Sequence, residues 1–204
     1  MSTIKILFTG VGGQGIITSG VVLGEAAILE NKNAVMSEVH GLAQRGGMVN
    51  VEMKIGDAKS PLIEEGASDI VVGMEPSETY RLRKRYNRNS SIIINTNPIV
   101  PFTTSIGLGS YPDVNNLLNS FKKVYNRLYL IDPDLLARKA GNPVTASIVF
   151  VGAVSGLKEM ETTIRKEAVI KAIENHFPSK LLDINLKAFY LGYEITRNRD
   201  NNVV

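Results

Sequence analysis

A glycine-rich segment near the start of the sequence constrains the fold more than any other feature. Residues 10–15 are Gly-Val-Gly-Gly-Gln-Gly, which fits the G-x-G-x-x-G pattern. A short apolar run at 4–8 precedes the segment, and apolar residues at helical spacing follow it from 16 to 29. A second apolar run lies at 34–36, after a turn at 31–33. This order predicts a strand, a glycine loop, a helix and a second strand, which together form one βαβ unit.

The next part of the chain predicts that the sheet is mixed rather than purely parallel. Residues 37–47 are polar and rich in glycine, which predicts a loop. From 49 to 55, apolar residues alternate with polar ones, a period of two that is typical of a half-buried strand at a sheet edge or in an antiparallel pair. Further short buried strands are predicted at 70–72, 92–94 and 128–131.

Helices are predicted between the later strands and through the last third of the chain. The predicted ranges are 76–86, 113–124, 132–139, 143–157, 163–177 and 180–197. The sequence therefore predicts an α/β fold, namely a Rossmann-like three-layer sandwich with a mixed, mostly parallel sheet and a helical C-terminal third. A chain of 204 residues that is 44% hydrophobic can bury one sizeable core, so we expect a single domain, 1–204.

The absence of cysteine excludes several kinds of chemistry. No disulfide, zinc–thiolate site or iron–sulfur cluster can be built from this chain, and no cysteine nucleophile exists. With His40 and His176 as the two histidines, no metal site is predicted. Any redox chemistry must therefore come from a bound cofactor or from a partner.

Charge and hydropathy also limit the partners. The net charge of +3 is small, and the basic cluster at 81–88 is interpreted as a solvated helix end, so no nucleic-acid partner is predicted. The longest apolar stretch, 148–154, is far shorter than the ~20 residues needed to cross a bilayer. The N-terminal residues lack the pattern of a signal peptide. We expect a cytoplasmic protein without membrane association.

The glycine loop is the first candidate binding site. Its five candidate residues are Gly10, Gly12, Gly13, Gln14 and Gly15. A loop without Cβ atoms lets backbone N–H groups approach a phosphate or carboxylate, and the following helix N-terminus adds partial positive charge. The alternative is a tight turn that allows close packing of the helix on the sheet and binds no ligand.

A second group of polar candidates follows the second predicted strand. It comprises Glu38, His40, Gln44, Arg45 and Gly46. Arg45 stands next to two glycines and can offer its planar guanidinium group to a carboxylate or phosphate. His40 has the alternative of a structural, hydrogen-bonded role. No nucleophile is arranged with His40 in a triad-like pattern, so no catalytic residue is predicted on this chain.

Glu38 supports an alternative function. In a dinucleotide-binding fold, an acidic residue at the end of the second strand binds the ribose hydroxyls, which would suit a self-contained NAD(P)- or FAD-binding Rossmann oxidoreductase. However, the chain after Glu38 leads into an alternating strand and not into a second crossover helix. Glu75, before the helix at 76–86, is interpreted as a helix-start carboxylate rather than a ligand contact.

The sequence resembles the gamma domain of 2-oxoacid:ferredoxin oxidoreductases, and most of all the small (beta) subunit of indolepyruvate ferredoxin oxidoreductase. The resemblance covers about residues 4–193. One departure is Ala146-Ser147, where relatives often have an Asn. The motifs that carry the resemblance are Gly10-Val11-Gly12-Gly13-Gln14-Gly15, Val39-His40-Gly41-Leu42-Ala43-Gln44-Arg45-Gly46-Gly47, Ser60-Pro61-Leu62-Ile63 and Gly73-Met74-Glu75-Pro76.

The resemblance implies a function within a complex. Such enzymes oxidatively decarboxylate a 2-oxoacid, here an aryl pyruvate, with thiamine diphosphate, transfer the acyl group to coenzyme A and reduce ferredoxin through iron–sulfur clusters. The large (alpha) subunit is expected to hold thiamine diphosphate and the clusters. The small subunit would complete a hetero-oligomer, shape the coenzyme A or substrate entrance, and be inactive alone.

The resemblance also suggests roles for the candidate residues. The amides of residues 12–15 would bind a phosphate or a partner carboxylate. Arg45 and Gln44 would contact coenzyme A or the large subunit, and Glu38 and His40 would orient that loop or face the partner. A non-catalytic nucleotide-binding or interaction module is a third hypothesis.

Overall fold

The computed structural model describes residues 3–41, 47–101, 104 and 110–201. Within these residues, six strands form one sheet in the order β2-β3-β1-β4-β5-β6. The strands are β1 (Ile4–Val11), β2 (Ala34–His40), β3 (Met48–Ile55), β4 (Ser68–Gly73), β5 (Tyr86–Asn95) and β6 (Leu128–Ile131).

Eight α-helices lie within the described residues. They are α1 (Ile16–Leu29), α2 (Pro76–Arg81), α3 (Val114–Val124), α4 (Pro133–Ala140), α5 (Ala146–Ser155), α6 (Lys158–Glu161), α7 (Lys166–His176) and α8 (Leu182–Asn201). Asp113 and Asp132 cap α3 and α4 through their carboxylates, which explains why these helices begin where the sequence predicts.

The sheet is mixed, as predicted. Strands β1, β4, β5 and β6 pair in parallel, whereas β3 is antiparallel to both β1 and β2. Strand β2 therefore runs in the same direction as β1, and the predicted βαβ unit is present with β3 inserted between its two strands. Of the two alternatives predicted for the alternating strand, the antiparallel pair is confirmed and the sheet edge is not, because β3 is an interior strand.

The polar residues of β3 are buried and do not form the solvent-facing side that their alternation predicts. Glu52 and Lys54 are each only 9% exposed. The Glu52 carboxylate accepts a hydrogen bond from the Ile63 amide at 2.5 Å and pairs with the Arg85 guanidinium. Arg85 also donates to the Ile63 carbonyl at 2.5 Å. The Glu52 carboxylate thus contacts an amide and a guanidinium group from residues distant in sequence, and these contacts replace contact with water.

Two predicted boundaries differ most from the structure. Residues 37–40, predicted as loop, extend β2, where Glu38 pairs with Val51 and His40 with Val49. The helix predicted to reach 86 ends at Arg81 and is followed by a 3-10 turn, Arg83–Arg85. Tyr86 is buried and begins β5, and its hydroxyl donates to a carbonyl of α2 at 2.8 Å. Tertiary burial of this ring outweighs the local helical pattern.

The sheet lies between two helical layers, which confirms the three-layer prediction. One face packs against α1, α4, α5, α7 and α8, and the other against α3, which contacts α2 through the rings of Phe121 and Tyr80. Every residue of α5 from Ser147 to Ser155 is buried, as expected for a helix that is apolar on all sides. None of the described helices is long and apolar enough to cross a membrane.

The topology brings the candidate residues that the structure describes to one edge of the sheet, at the carboxyl ends of its parallel strands. The carboxyl ends of β1 and β4, which are adjacent and parallel, lie at this edge. The chain leaves β1 toward α1 and β2 on one side, while β4, β5 and β6 follow on the other. Such a switch point is where open α/β sheets form ligand crevices. The glycine loop follows β1 there, and Met74 and Glu75 follow β4.

Candidate functional site

The glycine loop connects β1 to α1 through two residues in the left-handed region. Gly13 has φ of 100° and Gly15 has φ of 75°, conformations that side chains with a Cβ rarely adopt. A Cβ on Gly13 would meet no atom within 4 Å, so open space adjoins that residue. Gly15 is the N-cap of α1, and no side chain caps the helix there.

Gln14 and Gly10 build the loop from within. The Gln14 side chain accepts a hydrogen bond from the Val11 amide at 2.9 Å and donates to the Met74 carbonyl at 2.6 Å. A Cβ on Gly10 would lie 2.4 Å from the Gln14 Oε1 atom. The Gln14 amide is thus committed to joining the ends of β1 and β4, which leaves the backbone as the part of the loop that could bind a ligand.

Several backbone donors of the loop have no acceptor among the described residues. The Gly12 amide donates to the Gly47 carbonyl at 2.9 Å and is therefore committed. The amides of Gly13, Gly15 and residues 16–18 form no hydrogen bond with the described part of the chain. They lie at the N-terminus of α1, where the helix dipole adds partial positive charge. This arrangement can bind a phosphate or a carboxylate.

Two cavities adjoin the glycine loop, and Gly13, Gly15 and Thr18 line both of them. The first, of about 440 Å³, lies between the loop and the ends of β2 and β3 and is lined by Gly12, Ile17, His40, Gly41, Gly47 and Met48. The second, of about 400 Å³, lies between the loop and the starts of α4 and α5 and is lined by Gly13, Thr18, Ser147 and Phe150, among others. Both are within the size range of small-molecule sites.

Glu38 and His40 form an exposed pair on the edge strand. The His40 Nε2 and Glu38 Oε2 atoms are 3.1 Å apart. His40 lines the first cavity, so the structure brings it to the glycine loop. Glu38 pairs with Val51 and Val51 with Phe8, so two strand spacings, about 10 Å, separate Glu38 from β1. A ribose contact of the dinucleotide type is therefore poorly placed.

Gln44, Arg45 and Gly46 lie outside the described residues. Within the described ranges, no three His, Asp or Glu side chains come together in a way that could hold a metal ion.

Glu75 is a buried N-cap of α2, as interpreted from the sequence. It is 1% exposed, and its Oε2 atom accepts from the Glu78 amide at 2.8 Å. Its Oε1 atom accepts a hydrogen bond from the Tyr111 hydroxyl. Burial, followed by this hydrogen bond, raises the pKa of Tyr111 above its ordinary value. Glu75 therefore joins β4, α2 and residue 111 at the edge of the sheet.

Glu78 is a buried carboxyl that the sequence does not reveal. It is 7% exposed, and its Oε2 atom has no hydrogen-bond partner among the described residues. Burial raises the pKa of Glu78, the Arg81 guanidinium offsets part of that rise, and the neighbouring Glu75 adds to it. Glu78 is in the first turn of α2, where an exposed carboxylate would be the ordinary expectation.

Glu78→Gln should change how stability depends on pH. Because the folded pKa of Glu78 is raised, its contribution to the free energy of unfolding is lost as pH rises from the ordinary value of 4.5 through the folded value. The Gln variant cannot ionise, so it should be more stable than the wild type at pH 8 and lose that advantage at pH 4.5. Denaturant unfolding across this range measures the effect. The exposed Glu65→Gln change is the control, and equal behaviour of both variants would contradict the prediction.

The chain matches one protein family along almost its whole length. The family model described as pyruvate ferredoxin/flavodoxin oxidoreductase matches residues 5–195. The chain belongs to this family. It is accordingly a subunit of a 2-oxoacid:ferredoxin oxidoreductase, and the resemblance predicted from the glycine loop and the segment at 39–47 is confirmed.

Individual proteins are similar to this chain in sequence and in fold. The chain is 38% identical over 190 residues to the indolepyruvate oxidoreductase subunit IorB of Archaeoglobus fulgidus, covering 93% of this chain and 94% of that relative. The crystal structure of the keto/oxoacid ferredoxin oxidoreductase gamma subunit of Geobacter sulfurreducens matches with a TM-score of 0.69 and 26% identity, covering 95% and 98% of the two chains.

A longer chain contains the same fold. The 2-oxoglutarate:ferredoxin oxidoreductase of Magnetococcus marinus, solved with 2-oxoglutarate, coenzyme A and succinyl-CoA bound, matches with a TM-score of 0.70. The match covers 97% of this chain and 32% of that one, at 16% identity. The fold therefore occurs both as a separate subunit and within a larger polypeptide.

Proposed function

We propose that this chain is the small subunit of a thiamine-diphosphate-dependent enzyme that oxidises indolepyruvate and related aryl pyruvates. The proposal rests on the 38% identity to an indolepyruvate oxidoreductase subunit along almost the whole of both chains. The reaction releases CO2 from the 2-oxoacid, joins the acyl group to coenzyme A and passes two electrons, one at a time, to two oxidised ferredoxins.

The residues of this chain support a role away from the electron path. A chain without cysteine provides no thiolate for an iron–sulfur cluster. In this proposal the large subunit holds the clusters and thiamine diphosphate, and the small subunit completes the interface between them in a hetero-oligomer. The complex, and not this chain alone, carries the activity.

The glycine loop is the part of the chain that we propose contacts an anion. The amides of Gly13, Gly15 and residues 16–18 would bind a phosphate of coenzyme A or a carboxylate of the large subunit. Gln44, Arg45 and Gly46 would add contacts from the segment between Gly41 and Gly47, which both line the first cavity. Glu38 and His40 would orient that segment. The separation of Glu38 from β1 favours this proposal over a NAD(P)- or FAD-binding oxidoreductase.

Co-expression with the large subunit tests the proposed function. We expect ferredoxin reduction that requires indolepyruvate and coenzyme A when both subunits are present, and a loss of at least about 100-fold, some 3 kcal/mol in activation free energy, when either is omitted. Full activity of the large subunit without this chain would contradict the proposal. Tight binding of NADH or FAD by the isolated chain would instead favour the dinucleotide alternative.

A further inference from the structure

Strand β2 is an exposed edge of the sheet. None of its seven residues is buried, and Val39 is 51% exposed. The opposite edge strand, β6, has only four residues, and three of them are buried. Natural proteins often block an open edge with lysine, proline or a bulge. Strand β2 contains neither lysine nor proline, and its register with β3 is continuous.

The outward backbone groups of β2 belong to every second residue. Before the strand, the Asn33 carbonyl accepts a hydrogen bond from the Gly56 amide at 2.9 Å. After the strand, the Gly41 amide donates to the Met48 carbonyl at 2.7 Å. Because the direction of the backbone groups alternates along an antiparallel strand, the odd-numbered residues face β3. The even-numbered residues between 34 and 40 therefore direct their amides and carbonyls outward, where they form no hydrogen bond with the described part of the chain.

The side chains of β2 alternate between the two faces of the sheet. Met36 packs against the core on the side of α1, so Val35, Ser37 and Val39 lie on the other face. The Ser37 residue is half-buried, but its Oγ atom is buried and has no hydrogen-bond partner among the described residues. Buried hydroxyl groups in proteins nearly always have a partner. Ser37 is the middle residue of β2, so an identical strand paired around this point would place a second hydroxyl opposite it.

We propose that β2 pairs antiparallel with β2 of a second copy of this chain, around a two-fold axis at Ser37. This register pairs the whole strand, and the outward amides and carbonyls of the two copies bond to one another. Val35 of each copy lies opposite Val39 of the other. The two Ser37 hydroxyl groups lie across the axis, where a change of rotamer brings them within hydrogen-bond distance. The two sheets then form one continuous sheet.

The charges on β2 favour this register over its neighbours. Glu38 lies opposite Met36 of the second copy, and the Glu38–His40 pair within each chain, at 3.1 Å, stays intact. A shift by two residues in one direction would place the two Glu38 carboxylates directly opposite each other, which is unfavourable. A shift in the other direction would place Val39 opposite Asn33, beyond the end of the strand. Because β2 is complementary to itself in this way, a second copy is the partner that we assign to it.

Sedimentation of the full-length chain at micromolar concentration tests whether it dimerises. We expect a particle of twice the 22.3 kDa mass of the chain. Val39→Lys should weaken dimerisation about tenfold, because both cross-strand valine pairs are lost and lysine blocks an edge strand. Val124→Lys is the matched control, since Val124 is 41% exposed at the end of α3, and it should leave dimerisation unchanged. Circular dichroism verifies that each variant is folded.

Disulfide trapping tests the register, in a chain that has no cysteine of its own. Position 37 lies opposite itself in a pair without backbone hydrogen bonds, where Cα atoms are about 4.5 Å apart. Ser37→Cys should therefore form an intermolecular disulfide under mild oxidation. Val39→Cys is more exposed, yet it should crosslink slowly by itself and rapidly when mixed with Val35→Cys.

Four outcomes would overturn the inference. Two are a folded chain that sediments only as a monomer and a dimer that Val39→Lys leaves unaltered. The third is crosslinking of Val39→Cys by itself as fast as Ser37→Cys, which would show random collision. The fourth is loss of Ser37→Cys crosslinking when the large subunit binds, which would show that β2 pairs with that subunit instead. Pairing of two copies goes beyond the proposed function, and none of these outcomes depends on indolepyruvate oxidation.

Discussion

Replacing Gly152 with Ala should destabilise the protein by at least about 3 kcal/mol, because the added methyl group would overlap main-chain atoms. A Cβ at Gly152, on α5, would lie 2.0 Å from the Phe189 carbonyl oxygen of α8. Gly192 makes the reciprocal approach, since its Cβ would lie 1.9 Å from the Val149 carbonyl oxygen. No rotamer change can relieve either overlap. The gain in helix propensity, about 1 kcal/mol, is too small to compensate.

The control for this prediction is Gly24→Ala, the same change in the interior of α1. A Cβ at Gly24 would meet the Met53 Cε atom at 3.3 Å, and a methionine terminus can move. This variant should be neutral or more stable by up to about 1 kcal/mol. Urea denaturation at constant m measures both variants. Similar stabilities for the two would mean that α5 and α8 are not packed as closely as the structure shows.

The close approach of α5 and α8 is a feature that the sequence predicts only in part. The apolar run at 148–154 identifies α5 as a buried helix, and this is confirmed. Nothing in that run indicates which helix meets Gly152, because the partner Gly192 lies forty positions later. Local signals predict elements, whereas the choice of neighbours depends on the whole core.

For β3 too, local patterns predict the element but not its neighbours in the sheet. Alternation predicts a strand at 49–55 and an antiparallel pair, and both are correct. Its insertion between β1 and β2 is a long-range property that no local pattern expresses. The burial of Glu52 also depends on Arg85, a residue that the helical pattern placed on a solvated surface.

The candidate site was predicted in position but not in detail. The pattern at 10–15 predicts a glycine loop before α1, which the structure shows. It does not predict that Gln14 turns inward to Met74, because that carbonyl belongs to a strand end sixty residues away. For the same reason, the sequence at Ala146-Ser147 does not predict that Ser147 lies against Gly15.

Glu75→Ala is expected to have the second large effect, a loss of about 3 kcal/mol in the free energy of unfolding. The substitution removes an N-cap, worth about 1 kcal/mol, and leaves the Tyr111 hydroxyl without its acceptor, at a further cost of about 1–3 kcal/mol. Asp113→Ala is the matched control, because Asp113 caps α3 from an exposed position through the Asn116 amide at 2.8 Å. It should cost only about 1 kcal/mol.

A double-mutant cycle with Tyr111→Phe separates the two parts of this effect. If the Tyr111 hydroxyl depends on Glu75, its removal should destabilise the wild type but not the Glu75→Ala variant. The difference between the two backgrounds is then the coupling between the carboxylate and the hydroxyl. Equal effects of Tyr111→Phe in both backgrounds would contradict the prediction. Glu75 would then act as a helix cap alone and would not hold residue 111 at the edge of the sheet beside the glycine loop.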